Sequence, residues 1–512
     1  MCGFLFEYKL GLHEREFKDS LKLLSHRGPD YCGYSQFGSI KMGHQRLSIL
    51  DLNPRSNQPF SDINNRYHII YNGEIFNFKD LIKEYNLDCR TSSDTEVILS
   101  LYIKLGPKFI NKLNGMFAIC IYDNLTNIAF IARDRYGIKP LFYFENSNGF
   151  ILSSEIKPLL KFIKTSELDP FSVRQYKKLR GLKPGKTLYK DIKEFLPGHY
   201  SDGKKINQKC YWKPSFGNSK TFDINQFSTL FEKSIIDCTV SDVSYDCMLS
   251  GGLDSSLIVS LTRPKNCWVI GRKDHNEFHY AQLVSEMYGF NLNKILFNPD
   301  DFMNELDVEI SKRSYPITVP NEILINVLSK KIRYSSKVLL CGEGADEVFL
   351  GYDRIFRHFQ KKIINIEDFD KFYCYGSKED YDVIEDAAGH IFGKDISSLR
   401  EFFVEFHLLG LLKRVDFNTM RHSIESRVPF LHNDLFDYVS NLDSSILIDN
   451  FESKKILKKY ASVKNKLPKE VIYRDKVGFP VKFDFKTKKF DMNNILNYDD
   501  WFEYNIKSTE NL

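Results

Sequence analysis

Two sets of residues in this 512-residue chain could carry covalent chemistry. The first begins at Cys2, directly after the initiator Met. Removing Met would leave a thiol and a free α-amine on one residue. An α-amine with an ordinary pKa of about 7.7–8.0 can act as general base for its own thiol. A nucleophile acting on an amide needs an oxyanion hole, which Asn72 and the N–H of Gly73 could form. An amino-acid substrate also needs its carboxylate and ammonium held. Arg46, within His44-Gln45-Arg46-Leu47-Ser48-Ile49, suits the first, and Asp94, after Thr91-Ser92-Ser93, suits the second. Each residue has an ordinary reading too. Cys2 could be a small residue that tolerates Met removal, Asn72-Gly73 a hairpin turn, Asp94 a helix cap and Arg46 a surface charge.

The second set is Ser250-Gly251-Gly252-Leu253-Asp254-Ser255-Ser256, with the apolar Cys247-Met248-Leu249 before it and the helix-like Leu257-Ile258-Val259-Ser260 after it. Strand, Gly turn and helix in that order aim backbone N–H groups at an anion. The Gly pair lets the backbone approach closely, the Ser hydroxyls add donors, and the Asp254 carboxylate suits a magnesium ion. An ordinary Gly-rich turn is the plain alternative, but seven such residues in this setting point to pyrophosphate binding. It is not a Walker loop. Gly181–Thr187 (GLKPGKT) has one residue too few between its glycines and reads as a turn. Gly342-Glu343-Gly344-Ala345-Asp346 opens like a dinucleotide fingerprint, but Glu347 stands where the third Gly should be.

These residues need elements to position them. The first 200 residues carry short apolar or β-branched runs (Tyr67–Tyr71, Phe117–Tyr122, Ile128–Ala132) separated by turn residues. That pattern predicts stacked sheets with a few helices, one of them after Thr91–Asp94. After about residue 220, strand-like runs (Cys247–Leu249, Trp268–Ile270, Val338–Leu340) alternate with long helical stretches, which predicts a parallel α/β layer. From about Ile396 the pattern is mainly helical. The polar stretch Ser201–Lys220 is the expected boundary between domains at 2–205 and 220–490, and the polar residues from about Lys486 are expected to fray. Composition agrees with a globular chain: 42% apolar and 27% charged residues exclude a mostly disordered one. A net charge of +5, from 72 Lys+Arg and 67 Asp+Glu, is too small to point to nucleic acid. No apolar run reaches the roughly 18 residues of a membrane span, and MCGFLFEYKLGLHERE lacks the basic region of a signal peptide. Ten Cys without a C-x-x-C pair give no zinc ribbon or disulfide scaffold, so a reducing cytoplasm is the expected compartment.

Taken together, Met1-Cys2-Gly3, His26–Asp30 (HRGPD), Gly43–Asp51 (GHQRLSILD), Tyr71–Asn77 (YNGEIFN), Asn114–Ala118 (NGMFA) and Arg133–Leu141 (RDRYGIKPL) resemble a class II glutamine amidotransferase domain. Their order and spacing resemble the glutaminase half of the asparagine synthetase family. SGGLDSS, Glu277–Ala281 (EFHYA), Gly342–Tyr352 (GEGADEVFLGY), Leu411–Leu431 and Arg474–Phe479 (RDKVGF) resemble that family's ATP pyrophosphatase half, so the likeness covers about residues 2–480. It implies an α/β protein: an amino-terminal αββα sandwich of the N-terminal-nucleophile type, then a parallel α/β layer with added helices. By the same resemblance Cys2 attacks the glutamine side-chain amide, and Arg46, Leu47, Ser48, Ile49, Leu50, Asn72, Gly73, Glu74 and Asp94 hold glutamine. Leu249, Ile270, Cys341 and Gly342 would join Ser250, Gly251, Gly252, Asp254, Ser255 and Ser256 around ATP. Asp254 and Asp346 would be magnesium ligands, Glu343 would serve acyl-adenylate formation, and Lys476 would neutralise the departing pyrophosphate.

Such a pair of sites implies a coupled reaction. Glutamine would give glutamate and ammonia through a thioester at Cys2. ATP would convert a carboxylic acid to an acyl-adenylate, and ammonia would displace AMP to leave an amide. An enclosed route between the sites is expected, because ammonia free in neutral water is mostly protonated. Aspartate is the favoured acceptor and a uronic acid the alternative. Ser311-Lys312-Arg313-Ser314-Tyr315-Pro316 lacks the acidic pair common in the family before this Pro, and Cys341 replaces the usual Ser. For aspartate, an acid from elsewhere, such as Asp416 or Glu425, would take over the ammonium. The expected partners are small molecules, with no nucleic acid and no membrane, and a homodimer is an allowed assembly. A stand-alone glutaminase would not need the second half. A dead nucleotide-binding regulator would be expected to lack Cys2, Asp254 or Glu343.

Overall fold

The computed structural model describes residues 2–163, 167–273, 276–298, 301–376, 379–474, 483–484, 489–490 and 498–510. Its amino-terminal half is built on two six-stranded antiparallel sheets. The strands are β1 (Gly3–Tyr8), β2 (Tyr31–Phe37), β3 (Ile40–Arg46), β4 (Phe60–Ser61), β5 (Tyr67–Ile75), β6 (Gly115–Asp123), β7 (Ile128–Arg133), β8 (Phe142–Glu145), β9 (Phe150–Ser153), β10 (Lys193–Glu194), β11 (His199–Gly203) and β12 (Lys209–Cys210). One sheet runs β10-β8-β9-β1-β3-β2 and the other β12-β11-β7-β6-β5-β4.

Period-two alternation explains how they stack. Phe4, Phe6 and Tyr8 of β1 meet Ile70, Cys120, Tyr122 and Ile131 of the other sheet in one buried cluster. The opposite face of the first sheet, through Leu5 and Ile151, packs on the helices Glu14–Lys22 and Ile156–Ile163. The opposite face of the second sheet, through Ile69, Tyr71, Ile119 and Phe130, packs on Phe78–Tyr85 and Asp94–Leu105. The result is the expected αββα sandwich. β12 lies inside the polar stretch read as the boundary, so strand pairing continues into it through Lys209↔Tyr200.

The carboxy-terminal half holds β13 (Tyr245–Met248), β14 (Asn266–Gly271), β15 (Asn291–Leu296), β16 (Val338–Leu340) and β17 (Glu425–Arg427), paired in parallel in the order β15-β14-β13-β16-β17. Helices cover both faces: Leu257 and Val284 meet Cys247 on one side, while Leu328 and Ile332 meet Leu339 on the other. β17 is a strand the apolar pattern does not reveal, since Glu-Ser-Arg carries charge. Parallel pairing with Val338–Leu340 and buried ion pairs hold it in place. Fraying of the carboxy terminus is corrected for its last described segment. Tyr498–Glu510 is a helix with Trp501 fully buried, and Asn505 Oδ1 accepts from the Ile317 N–H at 2.9 Å. Its apolar face was masked in the sequence by interleaved acids. Among the described residues no helix is long and apolar enough to cross a membrane.

Phe6 sits wholly inside the sheet-on-sheet interface, with ring centroids 5.9 Å from Phe150 and 6.4 Å from Tyr122. Phe6→Ala is expected to destabilise the protein by about 3–5 kcal/mol, because this close-packed layer cannot collapse around the void. Urea unfolding followed by circular dichroism measures the loss.

Candidate active sites

Cys2 lies directly before β1, an interior strand of its sheet. Its backbone nitrogen donates to Asn72 Oδ1 at 2.9 Å, and its carbonyl accepts from Arg27 Nε at 3.1 Å. Asn72 and Gly73 do not form a turn: both are inside β5, opposite Ala118 and Phe117. A Cβ at Gly73 would lie 2.1 Å from the Met116 carbonyl oxygen, so no larger residue fits. With Oδ1 committed to Cys2, the buried Nδ2 of Asn72 has no hydrogen-bond partner. An unspent amide donor beside a nucleophile is what a developing oxyanion requires. Gly28 of HRGPD has a similar steric reason, since a Cβ there would fall 2.2 Å from the Gln45 carbonyl oxygen.

One pocket is bordered by Cys2, Arg46, Leu47, Ile49, Leu50, Gly73, Glu74 and Asp94, together with Ser56, Gln58, Tyr71, Ser93 and Thr95. Two residues of the expected glutamine set do not border it. The Ser48 N–H is taken by Asp30 Oδ2 at 2.7 Å, and Asn72 reaches the site through Cys2. Tyr71 stood inside a quoted motif. Gln58 carried no signal of its own, yet it clamps the pocket wall: Oε1 accepts from the Tyr71 N–H at 2.6 Å and Nε2 donates to Thr95 Oγ1 at 3.2 Å.

Arg46 is held by neutral acceptors, the carbonyls of Leu50, Asp51 and Asn53 and Asn57 Oδ1 at 2.6–3.2 Å, which leaves its charge available to an anion. Ser93, not Asp94, caps the following helix. Asp94 Oδ2 instead accepts from the Tyr71 hydroxyl at 2.9 Å and the Ile75 N–H at 3.0 Å. Burial pushes the Asp94 carboxyl up to about 6, against the pull of those two donors. Burial also raises the Cys2 thiol, opposed by the chain's amino terminus, the Leu47 N–H and Arg46. Glu74 is raised well above the usual carboxylate range by burial, although Arg427 Nη2 from β17 lies 3.2 Å from its Oε2.

The second site gathers at the carboxyl ends of β13, β14 and β16, the edge where open parallel sheets bind ligands. Leu249, Ser250, Gly251 and Gly252 follow β13, Ile270 is in β14, and Cys341, Gly342 and Glu343 follow β16. Gly251 has φ +73°, and a Cβ there would press within 2.8 Å of Tyr280 Cβ. Ser255 Oγ accepts from the Ser250 N–H at 3.2 Å, which fastens the loop to the first turn of the helix Leu253–Thr262. Gly342 packs on this turn, with its added Cβ 3.3 Å from Asp254 Cβ. The Cys341 thiol is buried and donates to the Arg427 carbonyl, and burial holds it protonated, up to about 12. Glu343 Oε1 accepts from Arg414 Nη2 at 2.8 Å.

Asp254 and Asp346, the expected magnesium ligands, converge. Between them lies a residue the sequence reading missed: Lys454 Nζ is 2.5 Å from Asp254 Oδ2 and 2.7 Å from Asp346 Oδ1. Burial works against the Lys454 charge, but the two carboxylates more than offset it and raise its pKa. Lys454 stood in Ser453-Lys454-Lys455, indistinguishable from a solvated basic run. Asp254 Oδ1 and Ser256 Oγ are buried without a hydrogen-bond partner, so oxygen donors remain unspent beside the loop. Two hard carboxylates beside the Gly-rich loop are oxygen donors of the kind a magnesium ion would take. Lys476 lies outside the described residues.

The two sites are linked through buried charge. Arg27 Nη2 meets Asp416 Oδ2 at 2.8 Å, and Asp416 is two residues from Arg414 on the helix Leu408–Met420. Asp416 and Glu425 are thus engaged by Arg27 and by Arg427, which meets Glu425 at 2.7 Å.

A family model for the glutamine amidotransferase domain matches residues 1–212, and one for asparagine synthase matches residues 226–498. The glutamine-hydrolyzing asparagine synthetase 1 of Bacillus subtilis is 28% identical, over 94% of this chain and 87% of its own length. A putative glutamine-hydrolyzing asparagine synthetase 2 of Methanocaldococcus jannaschii is 31% identical, over 69% of this chain and 76% of its own. Amidase chyE of Penicillium rubens is 29% identical, over 66% of this chain and 55% of its own.

Asp94 must be ionised to hold an ammonium. Its raised pKa makes the carboxylate form disappear as pH falls through about 6, so kcat/KM for glutamine is expected to drop about tenfold per pH unit below that value. Asp94→Asn should remove this break and leave a low kcat/KM whose remaining pH dependence is that of the Cys2 α-amine, read from glutamate release between pH 5 and 8.

Proposed function

The chain belongs to the asparagine synthase family, and we propose that it is a glutamine-dependent carbon–nitrogen ligase that uses ATP to turn a carboxylic acid into its amide. The observation that carries this reading is Arg27. Its guanidinium joins the carbonyl of the candidate nucleophile to Asp416, on the helix whose Arg414 holds Glu343. A hydrolase working alone would have no use for that connection.

In this reading the Cys2 α-amine, freed of Met1, takes the thiol proton, and the thiolate attacks the glutamine amide carbon. Asn72 Nδ2 and the Gly73 N–H receive the oxyanion, while Arg46 and Asp94 fix the substrate's carboxylate and ammonium. Ammonia leaves, and water hydrolyses the thioester to glutamate. At the other site the SGGLDSS loop receives the ATP phosphates. A magnesium ion held by Asp254 and Asp346 would neutralise phosphate charge there. Lys454 adds a fixed positive charge beside the leaving pyrophosphate, the role expected of Lys476. The acceptor carboxylate attacks the α-phosphorus, pyrophosphate leaves, and ammonia then displaces AMP from the acyl carbon. A carboxylate is a poor electrophile without such a leaving group, hence the ATP. Aspartate is the acceptor if an acid in the pocket near Glu343 is free to meet its ammonium; a uronic or other ammonium-free acid is the acceptor if none is.

Cys2→Ala is expected to abolish amide formation with glutamine and to keep it with ammonium salts, measured as acid-dependent pyrophosphate release. Equal loss with both nitrogen donors would overturn the two-site reading. Asp254→Asn exchanges a charged oxygen ligand for a neutral one, so pyrophosphate release should fall at least about tenfold with glutamine hydrolysis unchanged. Lys454→Met should lower the same rate and not the glutaminase.

A further inference from the structure

A second pocket lies at the join of the two halves. Its walls include Arg313, Tyr315, Thr318, Glu322, Lys413 and Arg414, and Gly410 opens onto it. Arg414 belongs both to this wall and to Glu343, which it meets at 2.8 Å. The inference rests on the amide-forming reading and on the role that the family resemblance implies for Glu343: the pocket, which touches Glu343 through Arg414, receives the acceptor acid.

The hydrogen-bond accounting of the wall is one-sided. Glu322 is the carboxylate among its lining residues, and both of its oxygens are committed. Oε1 accepts from the Thr318 N–H at 2.8 Å, from the Thr318 hydroxyl and from the Val319 N–H at 3.3 Å. Oε2 accepts from Arg313 Nη1 at 3.1 Å and Asn418 Nδ2 at 3.4 Å. The donors are not all spent. Arg313 Nε and Arg414 Nε are buried with no hydrogen-bond partner, and Arg313 is 7% exposed. Lys413 Nζ is held by Glu194 at 3.0 Å. Asp416 and Glu425, the acids that could have met an ammonium, do not border this space. An ammonium placed here would face guanidinium groups and a saturated carboxylate, whereas hydroxyl or carboxylate oxygens would satisfy the two idle N–H groups. The rings of Tyr315, Phe406 and Phe417 supply apolar wall for a carbon skeleton.

We propose that this pocket takes an acceptor acid that carries no ammonium and whose other substituents are hydroxyl or carboxylate oxygens, a sugar acid or a dicarboxylic acid rather than aspartate. Recognition runs through Arg313 and Arg414, and the free carboxylate is presented toward Glu343. The Trp501 helix supports the pocket from behind, since Trp501 Nε1 donates to the Thr318 carbonyl at 3.3 Å.

The test is exchange of labelled pyrophosphate into ATP by the full chain with magnesium, offering D-galacturonate, D-glucuronate, succinate and aspartate one at a time. Exchange with an ammonium-free acid should exceed that with aspartate at equal concentration by at least about tenfold, because an unpaired buried charge is rejected strongly. The sugar acids against succinate decide which oxygen-rich class is taken. Gly410→Leu projects a side chain into open space, as nothing lies within 4 Å of an added Cβ outside its own helix, and replaces a poor helix former. It should raise KM for the acid at least about tenfold and leave KM for ATP in place. Exchange with aspartate equal to or above the others overturns the inference and keeps the amide-forming reading. Unchanged KM for the acid in Gly410→Leu overturns the pocket. No exchange with any acid, while glutamine is still hydrolysed, overturns the adenylation reading and the inference with it.

Discussion

Arg27 is the interaction on which the arrangement depends. Its guanidinium is fully buried and its donors are spread over three anchors: the Cys2 carbonyl, Glu155 Oε1 at 3.0 Å and Asp416 Oδ2 at 2.8 Å. Burial disfavours its charge, and Asp416 and Glu155 restore it, so the pKa stands above the ordinary value. Arginine suits the post because its planar fork serves several acceptors at once and does not lose its proton. Breaking one partner of such a buried set costs about 3–5 kcal/mol, since the remaining charge stays in low dielectric. Here the cost would fall on geometry as well, because Cys2 and the helix Leu408–Met420 are tied to the same side chain.

β17 is the other half of that tie. It is the edge strand of the parallel sheet, and its Arg427 reaches into the amino-terminal half, standing between Glu425 and Glu74. The core is continuous across this join: Leu47, Ile49, Met116 and Ile138 share a cluster with Leu257, Leu340 and Phe430. The pocket bordered by Cys2 and the nucleotide loops are therefore set by one packed body, and neither can shift without repacking the other's wall.

The most legible parts of the sequence were those where local chemistry and steric need coincide. β5, β6 and β7 fell where the apolar runs placed them. Gly73 and Gly251 were legible because only glycine can stand at those points. Less readable were residues whose type is common and whose meaning comes from distant partners. Lys454 looked like one lysine in a basic run, Gln58 like an isolated amide, and the terminal helix like a polar tail.

By itself the sequence determined the two chemistries, the order of the layers and most of the residues around Cys2 and the SGGLDSS loop, since each depends on neighbours within a few positions of the chain. Tertiary structure alone decided that Asn72-Gly73 is strand rather than turn, that Lys454 sits between Asp254 and Asp346, and that Asp416 and Glu425 each pair with an arginine. The physical reason is common to all three. Hydrogen bonds and ion pairs between residues hundreds of positions apart, such as Arg27 and Asp416, leave no periodicity or spacing in the chain, and they exist only once packing has brought the partners within about 3 Å.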